Sequence, residues 1–100
     1  RYLYDHYPQK LTLERLAARF RESVPTLGRL FLAALNRSPI AYLIHLRLEK
    51  AAAELRSTSA SVTDIAHQCG FLDSNYFSKM FTRQFGVSPR DYRKQGRTEQ

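Results

Sequence analysis

Six hydrogen-bonding side chains crowd one short stretch of the chain: Ser74, Asn75, Ser78, Lys79, Thr82 and Arg83. Steps of three and four residues relate them, so on a helix they stand apart from the apolar stripe Phe77, Met80, Phe81 and Phe85 woven between them. The Asn75 carboxamide offers a donor beside an acceptor, whereas the Lys79 ammonium and the Arg83 guanidinium only donate. Such a set makes and breaks no bonds, but it can recognise acceptors. On a nucleic-acid duplex, Asn75 matches the paired donor and acceptor of adenine, and Lys79 matches the two acceptors of guanine. Thr82 and Arg83, deeper along the helix, suit phosphates better than bases, and Ser74 and Ser78 complete the candidate set. The plain alternative is a polar face that meets only water.

Other chemistry finds little support. His6, His45 and His67 share no metal-ligand spacing. Cys69 is the one cysteine, which rules out an internal disulfide or a multi-thiolate site, and it falls on an apolar stripe. His67 stands two residues from it, a spacing at which helical side chains do not face each other. No set of nucleophile, base and orienting group emerges, so neither an enzyme nor a cofactor is expected. Tyr76 beside Phe77 hints at base stacking, but stacking platforms are usually sheets.

The net charge of +7 on 100 residues favours a polyanionic partner, either nucleic acid or an anionic membrane. Residues 1–50 hold nine Lys/Arg against four acids and residues 51–100 seven against five, so the charge belongs to the body and not to a tail. The apolar runs fall short of the ~18 residues that span a bilayer, and no signal-peptide pattern is seen. With a lone thiol, this fits a cytoplasmic protein. The chain opens at Arg1 within a helical pattern and without an initiator methionine, as expected of a fragment of something longer.

The elements that must position these side chains come from an internal repeat. Leu27, Leu30, Phe31, Leu35, Ser38, Pro39 and Tyr42 recur as Phe77, Met80, Phe81, Phe85, Ser88, Pro89 and Tyr92, each offset by 50. Upstream, Leu13, Leu16, Ala17 and Phe20 recur as Val62, Ile65, Ala66 and Cys69 at an offset of 49, with one extra residue around Gly70-Phe71. Each copy reads as a short amphipathic helix, a tight turn and a second amphipathic helix. Thr12 and Ser61 (with Asp64) are the expected caps of the short helices, and Ser23 and Asp73 those of the longer ones. Ala17 and Ala66 leave room for a crossing helix. Ser38-Pro39 and Ser88-Pro89 each read as a cap followed by proline at the first helical position.

Between the copies, Pro39 to Arg56 reads as one helix of 18 residues, about 27 Å long. Its Ile40, Leu43 and Ile44 are expected to pack toward the first copy, and Leu48, Ala51, Ala52 and Leu55 toward the second. Tyr2, Leu3 and Tyr7 predict a short front helix stopped by Pro8. No strand pattern is visible. The predicted architecture is all-α, with two helix-turn-helix modules joined by a long linker helix. The first module takes 1–37, the linker 38–57, the second module 61–95, and a frayed tail 96–100.

The run from Gly70 to Phe81, then Phe85-Gly86-Val87-Ser88-Pro89 and Tyr92-Arg93, closely resembles the signature of AraC/XylS-type transcription regulators. Tyr42-Leu43, Arg47-Leu48, Ala51 and Leu55 resemble that family's linker helix, and Ile65-Ala66 opens the second module in its manner. The resemblance covers nearly the whole chain in an unbroken register. It implies about seven helices and a bacterial regulator that binds double-stranded DNA. It also implies an N-terminal effector or dimerisation domain beyond this chain, and RNA polymerase as a partner.

The first module departs from the family pattern. At the positions matching the polar face of the second it holds Val24, Pro25, Thr26, Gly28, Arg29, Leu32 and Ala33, of which Thr26 and Arg29 alone can hydrogen-bond. Val24 and Pro25 can touch thymine methyls, or Val24, Leu32 and Ala33 can form an apolar patch for a partner or a missing domain. Gly28 costs about 1 kcal/mol against alanine mid-helix, and a close approach of DNA is one way to offset it. Arg15, Arg19 and Arg21 are further phosphate candidates. The expected DNA-contacting set is therefore Thr26, Arg29, Ser74, Asn75, Ser78, Lys79, Thr82 and Arg83. The rival reading is a basic module that docks a protein or a membrane. A membrane-surface helix opposes one long apolar face with basic residues, whereas here the basic residues spread over short helices, which favours DNA.

Overall fold

The computed structural model describes residues 13–98, and every regular element in them is an α-helix. In chain order these are α1 (Leu13–Arg19), α2 (Val24–Leu35), α3 (Pro39–Ser57), α4 (Val62–Gln68), α5 (Ser74–Phe85) and α6 (Pro89–Thr98). The front helix expected over Tyr2–Tyr7 and the Thr12 cap lie outside the described residues. The chain divides at Leu46/Arg47 into two compact units, and α3 belongs to both.

In the first unit α1 packs on α2. Leu16, Ala17, Leu27 and Leu43 form its buried core, with Val24, Phe31, Tyr42 and Leu46 packed against them. In the second unit α5 packs on both α4 and α6. Leu48, Ala51, Ala52 and Leu55 of α3 are buried there, with Ile65, Ala66, Cys69, Phe71, Phe77 and Phe81. A chain of rings runs through it: Phe71 to Phe77 at 5.1 Å, Phe77 to Phe81 at 5.7 Å, and Phe81 to Tyr92 at 5.3 Å. Ring pairs of this kind add to what area burial alone supplies.

The ends of the helices follow local chemistry. Ser23 Oγ accepts from the Thr26 N–H at 3.3 Å, Ser61 Oγ from Asp64 N–H at 3.0 Å, and Asp73 Oδ1 from Asn75 N–H at 2.9 Å. Ser38 and Ser88 cap α3 and α6 in the same way, through Ala41 and Asp91 N–H at 3.1 Å, with Pro39 and Pro89 as the first helical residues. Each helix-turn-helix turn is closed by a left-handed residue, Arg21 (φ 59°) in one unit and Gly70 (φ 98°) in the other. The same pair of backbone bonds surrounds both. Arg21 and Glu22 donate to Ala18 and Ala17 at 3.1 and 2.8 Å, and Gly70 and Phe71 to His67 and Ala66 at 3.1 and 2.9 Å. Phe71 therefore matches Glu22, and the extra residue of the second copy is Leu72.

Two expectations are revised. Leu30, Leu35 and Phe20 belong to the apolar stripes, yet they are 52%, 43% and 41% exposed, whereas Met80 and Phe85 are half-buried and Cys69 is buried. The ring of Tyr92 packs at 5.4 Å against Phe85 as well as on Phe81, and this helps to shelter the far end of α5. The last helix also continues through Gly96 to Thr98, past the expected boundary of the tail. A Cβ placed on Gly96 would lie 3.4 Å from Arg56 Cγ, an ordinary van der Waals contact, so packing against α3 does not demand a glycine there.

Arg93 anchors α6. Its Nε donates to Leu55 O at 3.0 Å, and its Nη2 donates to Thr58 O at 3.2 Å and to Ala60 O at 2.6 Å. One fork thereby satisfies a carbonyl in the last turn of α3 and two in the loop that follows it. Arg93→Ala is expected to lower unfolding free energy by about 2–3 kcal/mol, and Arg93→Lys to recover less than half, because an ammonium cannot span three carbonyls. Urea unfolding followed by circular dichroism measures both.

Candidate nucleic-acid interface

The orientation of α5 follows from its buried side. Phe77 and Phe81 are wholly inaccessible. At about 100° per residue the opposite side carries Asn75, Lys79 and Arg83, flanked by Thr82 and Tyr76. All five are exposed, while Ser74 and Ser78 are half-buried on the flank. The structure thus brings Asn75, Lys79, Thr82 and Arg83 onto one outward surface and sets the two serines to its side. The Thr82 hydroxyl donates to Ser78 O at 2.8 Å, so its proton is committed to the helix and its lone pairs face out.

Tyr76 was missed as a member of this surface. It is 43% exposed, three residues from Lys79 and seven from Arg83, and its ring leans on Phe71 at 6.3 Å. Its spacing from those two cations was the signal in the sequence. Leu72, the inserted residue just before the α5 cap, is 84% exposed.

On α2 the same geometry holds. Leu27 is buried at 2% exposure, and the opposite side carries Pro25, Arg29, Leu32 and Ala33, all exposed, with Thr26 half-buried at its edge. Val24 is half-buried and packs against the core. Thr26 and Arg29 meet directly. Thr26 Oγ1 accepts from Arg29 Nη2 at 3.1 Å and from Ser23 Oγ at 2.9 Å. A Cβ placed on Gly28 would meet nothing within 4 Å, so internal packing does not demand a glycine there. Neither α2 nor α5 contains an acidic residue. That matters beside a phosphate backbone, where a carboxylate on the contact face is repelled. Arg15, Arg19 and Arg21 are also exposed.

Among the described residues no three His, Cys, Asp or Glu side chains come together as metal ligands do, and no helix is long and apolar enough to cross a membrane. Cys69 is buried at 2% exposure. Burial, and then the carboxylate of Glu54, push its thiol up to about 11, against smaller opposite effects of Lys50 and Arg47. Burial likewise holds the Arg47 guanidinium below its usual value, with Cys69 acting the other way.

Two helix-turn-helix pairs, each turning a buried stripe inward and a carboxylate-free face outward, define a double helix-turn-helix domain. The family model for the helix-turn-helix domain matches residues 16–95. The transcriptional activator RhaS of Klebsiella pneumoniae (strain 342) is 48% identical over 96 residues, which is 96% of this chain and 34% of that protein. The DNA-binding domain of the global transcriptional factor AdpA, solved in complex with a target DNA, matches with a TM-score of 0.95 at 31% identity, over 99% of this chain and 89% of that one. An AraC-type regulator from Chromobacterium violaceum matches with a TM-score of 0.87 at 31% identity, over 94% and 84%. This chain belongs to the AraC/XylS-type helix-turn-helix family, and it spans about a third of the length of the RhaS proteins it matches.

Cys69 supplies a test of the second unit. In the folded chain at pH 8 it should react with Ellman's reagent far more slowly than in urea, because it is covered and little of it is thiolate. The neutral thiol is favoured by folding, so its contribution to stability is full below its ordinary pKa of 9.0 and is lost as pH rises through about 11. Equal labelling rates with and without urea would contradict the buried position.

Proposed function

We propose that this chain is the DNA-binding part of a bacterial transcription regulator and recognises a specific duplex site with α2 and α5 as its recognition helices. The observation that carries the reading is the outward face of α5: Asn75, Lys79, Thr82 and Arg83, all exposed on a helix without acids whose other side is buried. Asn75 and Lys79 lie in the first half of α5, the part of a recognition helix that reaches base edges. Asn75 reads adenine and Lys79 guanine, and Arg83 holds a phosphate. Ser74 and Ser78, at the flank, contribute to the backbone contact, as does Thr82 once its hydroxyl turns from the helix. Tyr76 joins the base-reading group through its ring and hydroxyl. On α2, Arg29 supplies the polar contact.

The two helices enter successive major grooves about 34 Å apart, as paired helix-turn-helix units do. The 19-residue α3, about 28 Å long, is the chain's connection between them. DNA with a different groove spacing must bend to fit, at a cost of a few kcal/mol. The regulator acts in the cytoplasm. It works together with an effector or dimerisation domain and with RNA polymerase.

Lys79→Ala should weaken binding to a site selected from a random duplex pool by ~1–3 kcal/mol and relax the preference at one base pair. Arg83→Ala should instead weaken all duplexes alike and reduce the salt slope by about one unit. A selected motif unchanged by Lys79→Ala refutes its base-reading role.

Readout should also be uneven. Single-base substitution across a selected site of ~20 base pairs should cost affinity at more positions in the half beneath α5 than in the half beneath α2, where Pro25, Leu32 and Ala33 donate no hydrogen bonds. Footprinting should show protection in two major grooves. Protection of a single groove, or equal sensitivity in both halves, contradicts this assignment.

A further inference from the structure

The polar face of α2 is sparse, but its few polar groups are joined. Ser23 caps the helix: its carbonyl accepts from Leu27 N–H at 2.9 Å and its hydroxyl oxygen accepts from Thr26 N–H at 3.3 Å. The Ser23 hydroxyl then donates to Thr26 Oγ1 at 2.9 Å, and Arg29 Nη2 donates to the same oxygen at 3.1 Å. Both lone pairs of Thr26 Oγ1 are therefore used. The guanidinium is tied through two hydroxyls to the backbone at the helix start.

We propose that Ser23 and Thr26 are positioning residues that hold the Arg29 guanidinium ready to read one guanine, so that a single G·C pair is sharply selected in an otherwise tolerant half-site beneath α2. This rests on the reading that α2 enters the major groove of a duplex. A free surface arginine must give up most of its rotamers when it docks, whereas one already held at Nη2 loses fewer, and that difference appears as affinity. One of its five N–H groups is spent on Thr26, which leaves donors for the adjacent O6 and N7 acceptors of guanine. Adenine presents a donor beside its N7, which a donor-only side chain cannot satisfy. Arg29 stands opposite the buried Leu27, at the centre of the outward face and in the first half of α2, where base edges are within reach.

The second unit shows that this arrangement is not a by-product of the fold. Its matching positions hold Asp73, Tyr76 and Lys79. Asp73 caps through Asn75 N–H, and Tyr76 carries its hydroxyl at the far end of a ring that leans on Phe71. Lys79 therefore has no short hydroxyl behind it. The first unit has fewer polar groups on its face but holds its one cation; the second has more of them and puts no short hydroxyl one turn before its lysine.

The test is a double-mutant cycle on the chain, with sites selected from a random duplex pool. Arg29→Ala first identifies the G·C pair whose preference it removes. Thr26→Val keeps the branched shape and the capping N–H but removes the acceptor. It should weaken binding to the site with that pair intact by ~3–10-fold and leave binding to the site with that pair replaced nearly unchanged. Thr26→Ser should stay within about 2-fold of the unaltered chain, since it keeps the hydroxyl. In an Arg29→Ala background, Thr26→Val should add no further loss, and thermal melts of the Thr26 variants should coincide with that of the unaltered chain. Three results each overturn the proposal: Arg29→Ala that removes no base preference, Thr26→Val that weakens both sites equally, or effects of the two substitutions that add. An unaltered chain that selects no sequence at all defeats the reading on which the proposal rests, and is distinct from these three.

Discussion

Two wholly buried phenylalanines one helical turn apart hold α5 in a single rotational setting. Turning the helix by one residue moves every side chain by about 100°, which would lift Phe77 or Phe81 into water at a cost of about 2–3 kcal/mol each. The rings of Phe71 and Tyr92, 5.1 Å from Phe77 and 5.3 Å from Phe81, grip the same side. The outward face is consequently a by-product of burial. Whatever stands at positions 75, 79 and 83 is presented to solvent because 77 and 81 are not. The same relation between Leu27 and Arg29 operates in the first unit, with an aliphatic side chain in place of the ring.

The start of α2 and of α5 depends on a second demand, made of the backbone. The chain must reverse between a seven-residue helix and a twelve-residue one, and both units do so with a left-handed residue and the same pair of closing hydrogen bonds. The second unit meets the demand with Gly70 and ends α5 with Gly86 at φ 81°. The first uses Arg21 and Asn36, at φ 59° and 57°. Asparagine accepts that region more readily than most residues. Arginine does not, so the first turn holds modest strain where the second holds none. Among the described residues this difference runs parallel to the cores: buried rings and the Arg93 clamp in the second unit, buried aliphatics and more exposed leucines in the first.

On the proposed DNA-binding reading, two units of one design do different work on one duplex. A face with many exposed donors samples several base pairs, each through a side chain that must be ordered on contact. A face with one cation held by hydroxyls samples little and orders it beforehand. Repetition of the module conserves the scaffold, because the apolar stripe has little freedom. The outward positions answer only to the ligand.

Much of this was legible in the residues themselves. The offsets of 50 and 49 reveal the two copies, since a buried stripe must recur wherever the fold recurs. The caps at Ser23, Ser38, Ser61, Asp73 and Ser88 could be named because capping is a bond between near neighbours. The inward direction of Phe77 and Phe81, and so the outward direction of Lys79, follows from helical periodicity alone. Tertiary structure decided the rest. Periodicity ranks Leu30 and Leu35 with the core, but which part of a stripe is covered depends on what lies across from it. Val24 turned inward and Ser74 and Ser78 to the flank for the same reason. Leu72 emerged as the inserted residue only when the hydrogen bonds of the two turns were matched. The bond from Arg29 to Thr26 also lay beyond the sequence. A spacing of three residues makes contact possible, but whether a long side chain takes it depends on rotamers that only the folded surroundings select.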